Sequence, residues 1–352
     1  MNKIVIILNL TLAILLANCQ ASAQKEFKKS YSPKETFSIS TVSGNCLIKK
    51  SDNNQINVEL KYTYPDDCFK YKIDESAEKL EIKEDFKGNC NGESDWIISV
   101  PENTKVEFNS ASGDFIIGGI SKNVSGNTAS GNLKLDEITG EIDLNSASGD
   151  VILSKIKGTI KLNTVSGNVL LESLAAKSKI TTASGDVIVK NSSEEITISV
   201  ASGNVKIESS KSKINVNSAS GDIILSAISG SLDLNTASGN IQASDIEIMD
   251  MSSLNAASGD IMVKLTQSPE SDMTLSTASG NIGLDYNGNE VKGYFEFTAR
   301  VDKGKIVSPI KFDKQEVVEI DGKKHDKKSF TKGSSSPKIT LKTSSGTVEL
   351  KK

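Results

Sequence analysis

Residues 141–190 read EIDLNSASGD VILSKIKGTI KLNTVSGNVL LESLAAKSKI TTASGDVIVK. Ser-Gly followed by Asp or Asn occurs three times in this stretch, at Gly149, Gly167 and Gly185. Outward from it, the same corner recurs at Gly113, Gly131, Gly203, Gly221, Gly239, Gly259 and Gly280. The first seven intervals are 18 residues, and the last two are 20 and 21. A fixed short period of this kind marks a stacked repeat architecture. Each repeat carries two strand signals. One follows the corner (Val151 and Leu153, Val169 and Leu171), and one lies half a repeat later (Ile142 and Leu144, Ile160 and Leu162). Strict alternation with β-branched inward positions reads as strand, not helix. Secondary glycines Gly140, Gly158 and Gly230 lie nine residues from the main ones, so each unit divides into two halves, each a tight corner and a short strand.

One such unit cannot bury its apolar face, but stacked copies form a continuous core. The expected fold is all-β: a parallel β-solenoid, or β-helix, with 18-residue coils of two short strands, capped at both ends. Coils would stack at about 4.8 Å and the two inner faces would pack at about 10 Å. The residue after Ser-Gly alternates without exception: Asp114, Asn132, Asp150, Asn168, Asp186, Asn204, Asp222, Asn240, Asp260, Asn281. In 18-residue coils these form one column. An all-Asp column would set like charges about 4.8 Å apart. Interleaved Asn doubles that spacing and lets amides donate to carboxylates. A 36-residue coil is the rival, with Asp and Asn on different edges. It would enclose more space than two layers of Val and Leu fill, so close packing favours 18. Ser146, Thr164, Thr182, Ser218, Thr236 and Thr277 fall on the inward parity beside the corner, where their hydroxyls would cap the core edge.

The ends differ from the ladder. Residues 1–17 carry Lys3 and an apolar run, an export signal too short for a good membrane span. Two cleavage readings compete. Leu16-Ala17-Asn18-Cys19 resembles a lipobox, which would lipidate Cys19 and remove 1–18. Ala21-Ser22-Ala23 is an A-x-A site, which would remove 1–23. Residues 24–110 read as an N-terminal cap with a partial first coil (37–48), a strand (56–64) and a hairpin (71–86). Cys68 and Cys90 bracket that hairpin, and a disulfide at its feet is geometrically natural in an exported chain. Cys46 stands where later repeats place an inward aliphatic, so it reads as a buried thiol. Residues 111–286 are the repeat. Residues 287–352 read as a C-terminal cap, with strands at 294–301 and 315–320. An exposed Lys/Ser-rich loop around His325 follows, and a closing coil at Ser345-Gly346.

The sequence resembles the DUF4097 β-strand-repeat proteins, named as candidate adhesins. Carrying the resemblance are Thr41-Val42-Ser43-Gly44-Asn45, Val100-Pro101-Glu102 leading to Ser112-Gly113-Asp114, the central ladder, and Ile339-Thr340-Leu341-Lys342-Thr343-Ser344-Ser345-Gly346. It spans nearly all of the mature chain and implies the architecture and an envelope role. It supplies no catalytic residues. The chain departs from the family in its three mature-region cysteines and its lysine-rich insert.

Composition bounds the chemistry. Lys+Arg is 41 against Asp+Glu 45, a net charge of -4, which leaves no electrostatic footprint for nucleic acid. One histidine, His325, leaves no histidine triad or multi-histidine metal site. Calcium needs six to eight oxygen ligands, and here one Asp stands at the corner per 36 residues with amides as neighbours. A carbohydrate-active β-helix enzyme is the alternative function, a polysaccharide hydrolase or lyase using Asp residues about 9.6 Å apart. That geometry repeats along the whole column, whereas a catalytic site breaks a repeat; Trp96 and Arg300 are the only Trp and Arg. No catalytic residue, metal or cofactor is therefore expected. The expected function is non-enzymatic, adhesin-like binding or scaffolding by an exported envelope protein. It would act in the periplasm, outer membrane or cell surface, or as a secreted protein, touching membrane only through a lipid on Cys19. The candidate surface is an outward stripe of Ile116, Ile152, Leu170, Ile188, Ile224 and Met262. The opposite face is polar. The expected partner is a protein or glycan at the envelope, or a second copy of the chain.

Overall fold

The computed structural model describes residues 24–352. The expected signal segment, both candidate cleavage sites and Cys19 lie outside them. Among the described residues every regular element is a strand. From Gly113 to Gly239 each repeat pairs in parallel with the next at an offset of 18, as in Leu133↔Val151, Val151↔Val169 and Ile142↔Ile160, and the last two pair at 20 and 21, as in Ile241↔Ile261 and Ile261↔Ile282. The coil is thus 18 residues, and the 36-residue alternative falls. The inward Val, Leu and Ile of both sheets form one buried core along the whole axis.

Glycine is required at the corner for two reasons. Gly167 has φ 121°, where L side chains are strained. A Cβ on Gly167 would also stand 2.1 Å from the carbonyl oxygen of Gly149, one coil below. The same approach recurs up the column, from Gly113 over Gly44 to Gly346 over Gly280. The hydroxyl column next to it closes the core edge. Ser146, Thr164 and Thr182 donate to the carbonyls of Ser148, Ser166 and Ser184 at 3.0, 3.1 and 3.0 Å. Thr277 donates to Gly259 O at 3.0 Å. Ser218 and Thr236 are buried with no partner for their hydroxyls among the described residues.

The second corner of each coil is built differently from the first. The second corner pivots on Glu137, Lys155, Ser173, Asn191, Ser209, Ala227 and Asp245, six residues after each corner glycine, with φ of 53–58°. The next residue turns inward and is buried, as at Ile138, Ile156 and Leu174. The pivot carries ordinary side chains, but the secondary glycines three residues on repeat the close approach: a Cβ on Gly158 or Gly230 would stand 2.2 or 2.0 Å from the carbonyl oxygen of Gly140 or Ser212.

Both ends are built by interleaving. The coil of strands Thr36–Thr41 and Asn45–Lys50 is not outermost. It lies between Lys79–Phe86 with Ser94–Val100 on one side and Lys105–Ser112 with Phe115–Ile120 on the other. At the far end, strands Lys338–Thr343 and Gly346–Lys351 sit between Met273–Ser279 with Ile282–Asp285 and Gly293–Arg300 with Gly304–Val307. The Ser345-Gly346 coil is therefore penultimate and does not close the stack. Antiparallel strands finish each end: Ile56–Tyr62, Lys25–Tyr31 and Phe69–Glu75 at one, Lys323–Lys332 and Lys314–Ile320 at the other.

The exposed loop expected around His325 is corrected. Residues Lys323–Lys332 are a central strand between Gly293–Arg300 and Lys314–Ile320, and His325 is buried. His325 and Ser329 are buried on one face of this strand and Phe330 on the other, where it stacks on Phe295 at 4.6 Å and Lys328 lies over the Phe312 ring. Cys68 and Cys90 are bonded, with Cα atoms 5.8 Å apart. Cys46 is a buried free thiol, pushed well up by burial and then by the nearby Glu84.

Glu84 substitutes for the regular corner that the neighbouring coil, Lys79–Phe86 with Ser94–Val100, lacks. Its buried carboxylate accepts from Val42 N (2.8 Å), Ser94 Oγ (2.7 Å) and Trp96 Nε1 (2.9 Å). The Val42 N–H would otherwise be orphaned at the end of the glycine column.

The corner constraint gives a direct test. Gly167→Ala is expected to destabilise by about 3 kcal/mol or more in urea unfolding, because strain and a backbone clash act together. Ser166→Ala, on the exposed neighbouring position, should shift stability by no more than about 0.5 kcal/mol. Equal small effects would contradict the corner geometry.

Candidate binding face

The strand after each glycine corner presents three outward columns. The residue after the glycine begins it, the stripe residue lies two further on, and a third follows after two more. In the middle column the register runs Leu47↔Ile116↔Lys134↔Ile152↔Leu170↔Ile188↔Lys206↔Ile224↔Gln242↔Met262↔Gly283. All six expected stripe residues therefore share one line. Ile116 and Met262 are 47% and 40% exposed, whereas Ile152, Leu170, Ile188 and Ile224 are half-buried by their neighbours. Leu47 joins them at the N-terminal end of the line; it sits in the first coil, outside the regular ladder, so the repeat pattern does not point to it. Near the other end Gly283 and Ala243 leave a depression of about 330 Å³ beside Ile224 and Met262.

The corner column is a continuous hydrogen-bond ladder. Asp114 Oδ1 accepts from Asn132 N (2.8 Å) and Asn132 Nδ2 (3.1 Å). Asn132 Oδ1 then accepts from Asp150 N at 3.0 Å. The pattern repeats at Asp150–Asn168, Asp186–Asn204, Asp222–Asn240 and Asp260–Asn281. It extends one step beyond the ladder at each end, from Asn45 Oδ1 to Asp114 N and from Asn281 Oδ1 to Thr347 N. Every corner carboxylate is thus flanked by amides. Among the described residues no group of three or more His, Cys, Asp or Glu side chains could hold a metal ion.

The third column follows a rule invisible until the face is assembled. Where the corner residue is Asp114, Asp150, Asp186, Asp222 or Asp260, this column holds Gly118, Ser154, Lys190, Ser226 or Lys264. Where it is Asn132, Asn168, Asn204, Asn240 or Asn281, the column holds Asp136, Glu172, Glu208, Ser244 or Asp285. No coil of this ladder carries a carboxylate in both columns. Within the third column, Ser154 Oγ donates to Asp136 at 2.6 Å and Lys190 Nζ to Glu172 at 3.2 Å. Lys206, in the stripe, lies 2.7 Å from Glu208 and holds that carboxyl below its ordinary range.

The opposite sheet carries asparagine ladders. Asn127, Asn145 and Asn163 donate to Asn109, Asn127 and Asn145 at 2.9, 3.0 and 2.9 Å. Asn235 and Asn255 continue the column beyond Thr181 and Ser199. Between this column and the corner alanines runs a shallow trough, from Ser40 to Ala257. The large outward aliphatics in register thus belong to one face of the ladder.

These features define a capped parallel β-solenoid whose two faces differ in chemistry. The family model Toastrack DUF4097 matches residues 86–212 and 182–303, and the chain belongs to that family. No curated protein matches it. Among solved structures, a candidate cell-adhesion protein of Clostridium sporogenes is 12% identical, with 94% of this chain and 99% of that one covered and a TM-score of 0.21. A candidate adhesin of Parabacteroides merdae is 13% identical, with coverage of 93% and 97% and a TM-score of 0.30. A candidate lipid-binding protein of Parabacteroides distasonis is 13% identical, with coverage of 93% and 96% and a TM-score of 0.24. At identities and TM-scores this low, none of them bears on what this chain binds.

The ladder predicts a charge effect. Asn168→Asp would place a further carboxylate between Asp150 and Asp186 and remove the amide donor. A loss of about 1–2 kcal/mol is expected at neutral pH and low salt. The like charges raise the folded-state carboxyl pKa, so the penalty appears as pH rises through the carboxyl range and disappears below it. Added salt should shrink it. Denaturant unfolding at two pH values and two salt concentrations checks this.

Proposed function

We propose that this chain is an exported, non-enzymatic envelope protein that binds through its aliphatic sheet face, in the manner of an adhesin or scaffold. The observation that carries the reading is the asymmetry of the two sheets. Both have the same inward pattern, yet one face sets Ile116, Ile152, Leu170, Ile188, Ile224 and Met262 in register and the other sets asparagine amides. In-register aliphatics on an open sheet favour a partner over solvent. The Cys68–Cys90 bond suits an oxidising compartment outside the cytoplasm. The partner is a protein or glycan of the envelope. Each coil contributes little, so affinity comes from the length of the array.

The triple variant Ile152→Thr, Ile188→Thr, Ile224→Thr tests this, since Thr suits an exposed strand. Binding of the purified chain to isolated cell envelopes should fall at least about fivefold, a change of about 1 kcal/mol. The melting temperature should stay nearly unchanged. Unaltered binding by the folded variant would move the site off this face.

A further inference from the structure

We propose that the aliphatic face is also a homodimer interface, in which two chains pack face to face and parallel about a twofold axis along the solenoid. This rests on the assignment of the aliphatic face as the binding surface, and names a second copy of the chain as its occupant. A twofold along the solenoid axis brings each coil against the same coil of its partner. It lays each stripe aliphatic on its own copy: Ile116, Ile152, Leu170, Ile188 and Ile224. It also exchanges the flanking columns, so that the corner column of one chain faces the third column of the other.

The antiphase of those columns is what this symmetry needs. At Asp186 the partner presents Lys190, and at Asp150 it presents Ser154. At Asn168 the partner presents Glu172, and at Asn204 it presents Glu208. No carboxylate meets a carboxylate in any coil of the ladder. The free atoms match as well. Asp150 and Asp186 use Oδ1 within the chain, and Oδ2 accepts no hydrogen bond from the described residues. The Asn168 and Asn204 amides each spend one of two hydrogens on the coil below.

Intrachain ladders explain why each column alternates, as with Ser154 on Asp136. They do not explain the phase between the columns. Four residues along a strand separate them by about 13 Å. That exceeds the Debye length of about 8 Å at physiological salt, so two carboxylates on one strand would repel little. Across a twofold the same choice decides whether acids face acids. An antiparallel pairing fails on this count. In register about Leu170 it sets Asp150 against Asp186, and moved to the next register it sets Ile152 on Lys206.

The area fits a modest dimer. From Leu47 to Met262 the stripe spans about 43 Å, and the three columns span about 13 Å. The product is about 550 Å² per partner, or about 1,100 Å² in all, just above the floor of about 1,000 Å² for a specific interface. Lys134 and Lys206 interrupt the stripe near the axis, and Lys206 turns along its strand to Glu208, away from its own copy.

The test is sedimentation of the oxidised, signal-cleaved chain over a concentration series, combined with a short bis-maleimide cross-linker. A concentration-dependent dimer is expected. Ile152→Cys and Ile224→Cys should each cross-link to itself, while buried Cys46 gives no background. Lys190→Glu should weaken the dimer about tenfold by facing Asp186, and salt should restore part of the loss. A chain that stays monomeric throughout overturns the dimer. So does a dimer in which neither single-cysteine variant cross-links to itself, or one that Lys190→Glu leaves untouched. Because envelope binding is read separately, a monomer whose triple Thr variant still loses that binding refutes only the dimer, whereas unaltered envelope binding refutes the broader function.

Discussion

The structure depends on one close approach: a backbone carbonyl sits where the Cβ of the next coil's corner residue would be. At Gly167 the distance is 2.1 Å, and at Gly259 it is 1.9 Å. Only glycine permits it, and the same residue supplies the positive φ that reverses the chain. The corner fixes the coil length, the coil length fixes the register, and the register makes columns. Everything distinctive about the surface is a column: the Asp/Asn ladder, the asparagine ladder and the aliphatic stripe. A one-residue slip would turn the whole stripe inward, so the corner guards the surface as well as the core.

A stack of identical coils has two ends that would accept more strands. This chain deals with them through interleaving. Coil 36–50 is held between coils formed by later residues, and coil 338–351 between coils formed by earlier ones. Neither of these coils can peel away without disrupting a neighbour on each side. The outermost strands are antiparallel, and Lys25, Lys28 and Lys29 lie on the N-terminal edge, a charged blunting of the kind natural sheets use. Glu84 completes the N-terminal corner by giving the Val42 N–H the acceptor that a regular corner in the outer coil would have supplied.

What could be read in advance follows from how strictly a position constrains its residue. The glycine corner admits one amino acid, so its period shows plainly in the sequence, and with it the coil, the inward pattern and the Asp/Asn column. The second corner pivots on Glu, Lys, Ser, Asn, Ala or Asp at φ near 55°, a conformation of modest strain, so its only mark in the sequence is the intermittent secondary glycines Gly140, Gly158 and Gly230. Interleaving is a long-range choice between coils of similar pattern, and local sequence does not encode it. Strand Lys323–Lys332 is hidden by its charge: seven of its ten residues are Lys, His or Asp, and only His325, Ser329 and Phe330 are buried. The stripe residues are visible as letters two places after each corner Asp. Their neighbours in antiphase become meaningful only when the columns are seen to share one face.

The 18-residue coil is most directly tested by a distance between spin labels at Ser154 and Ser226. These outward positions are separated by four repeats in the third column. Labels introduced through cysteines there, in a chain diluted with unlabelled protein, should give a narrow intramolecular distance of about 19 Å, four steps of about 4.8 Å. A distance of about 10 Å, two such steps, would signify a 36-residue coil. A broad distribution would signify no regular stack, and either result would contradict the glycine-cornered solenoid.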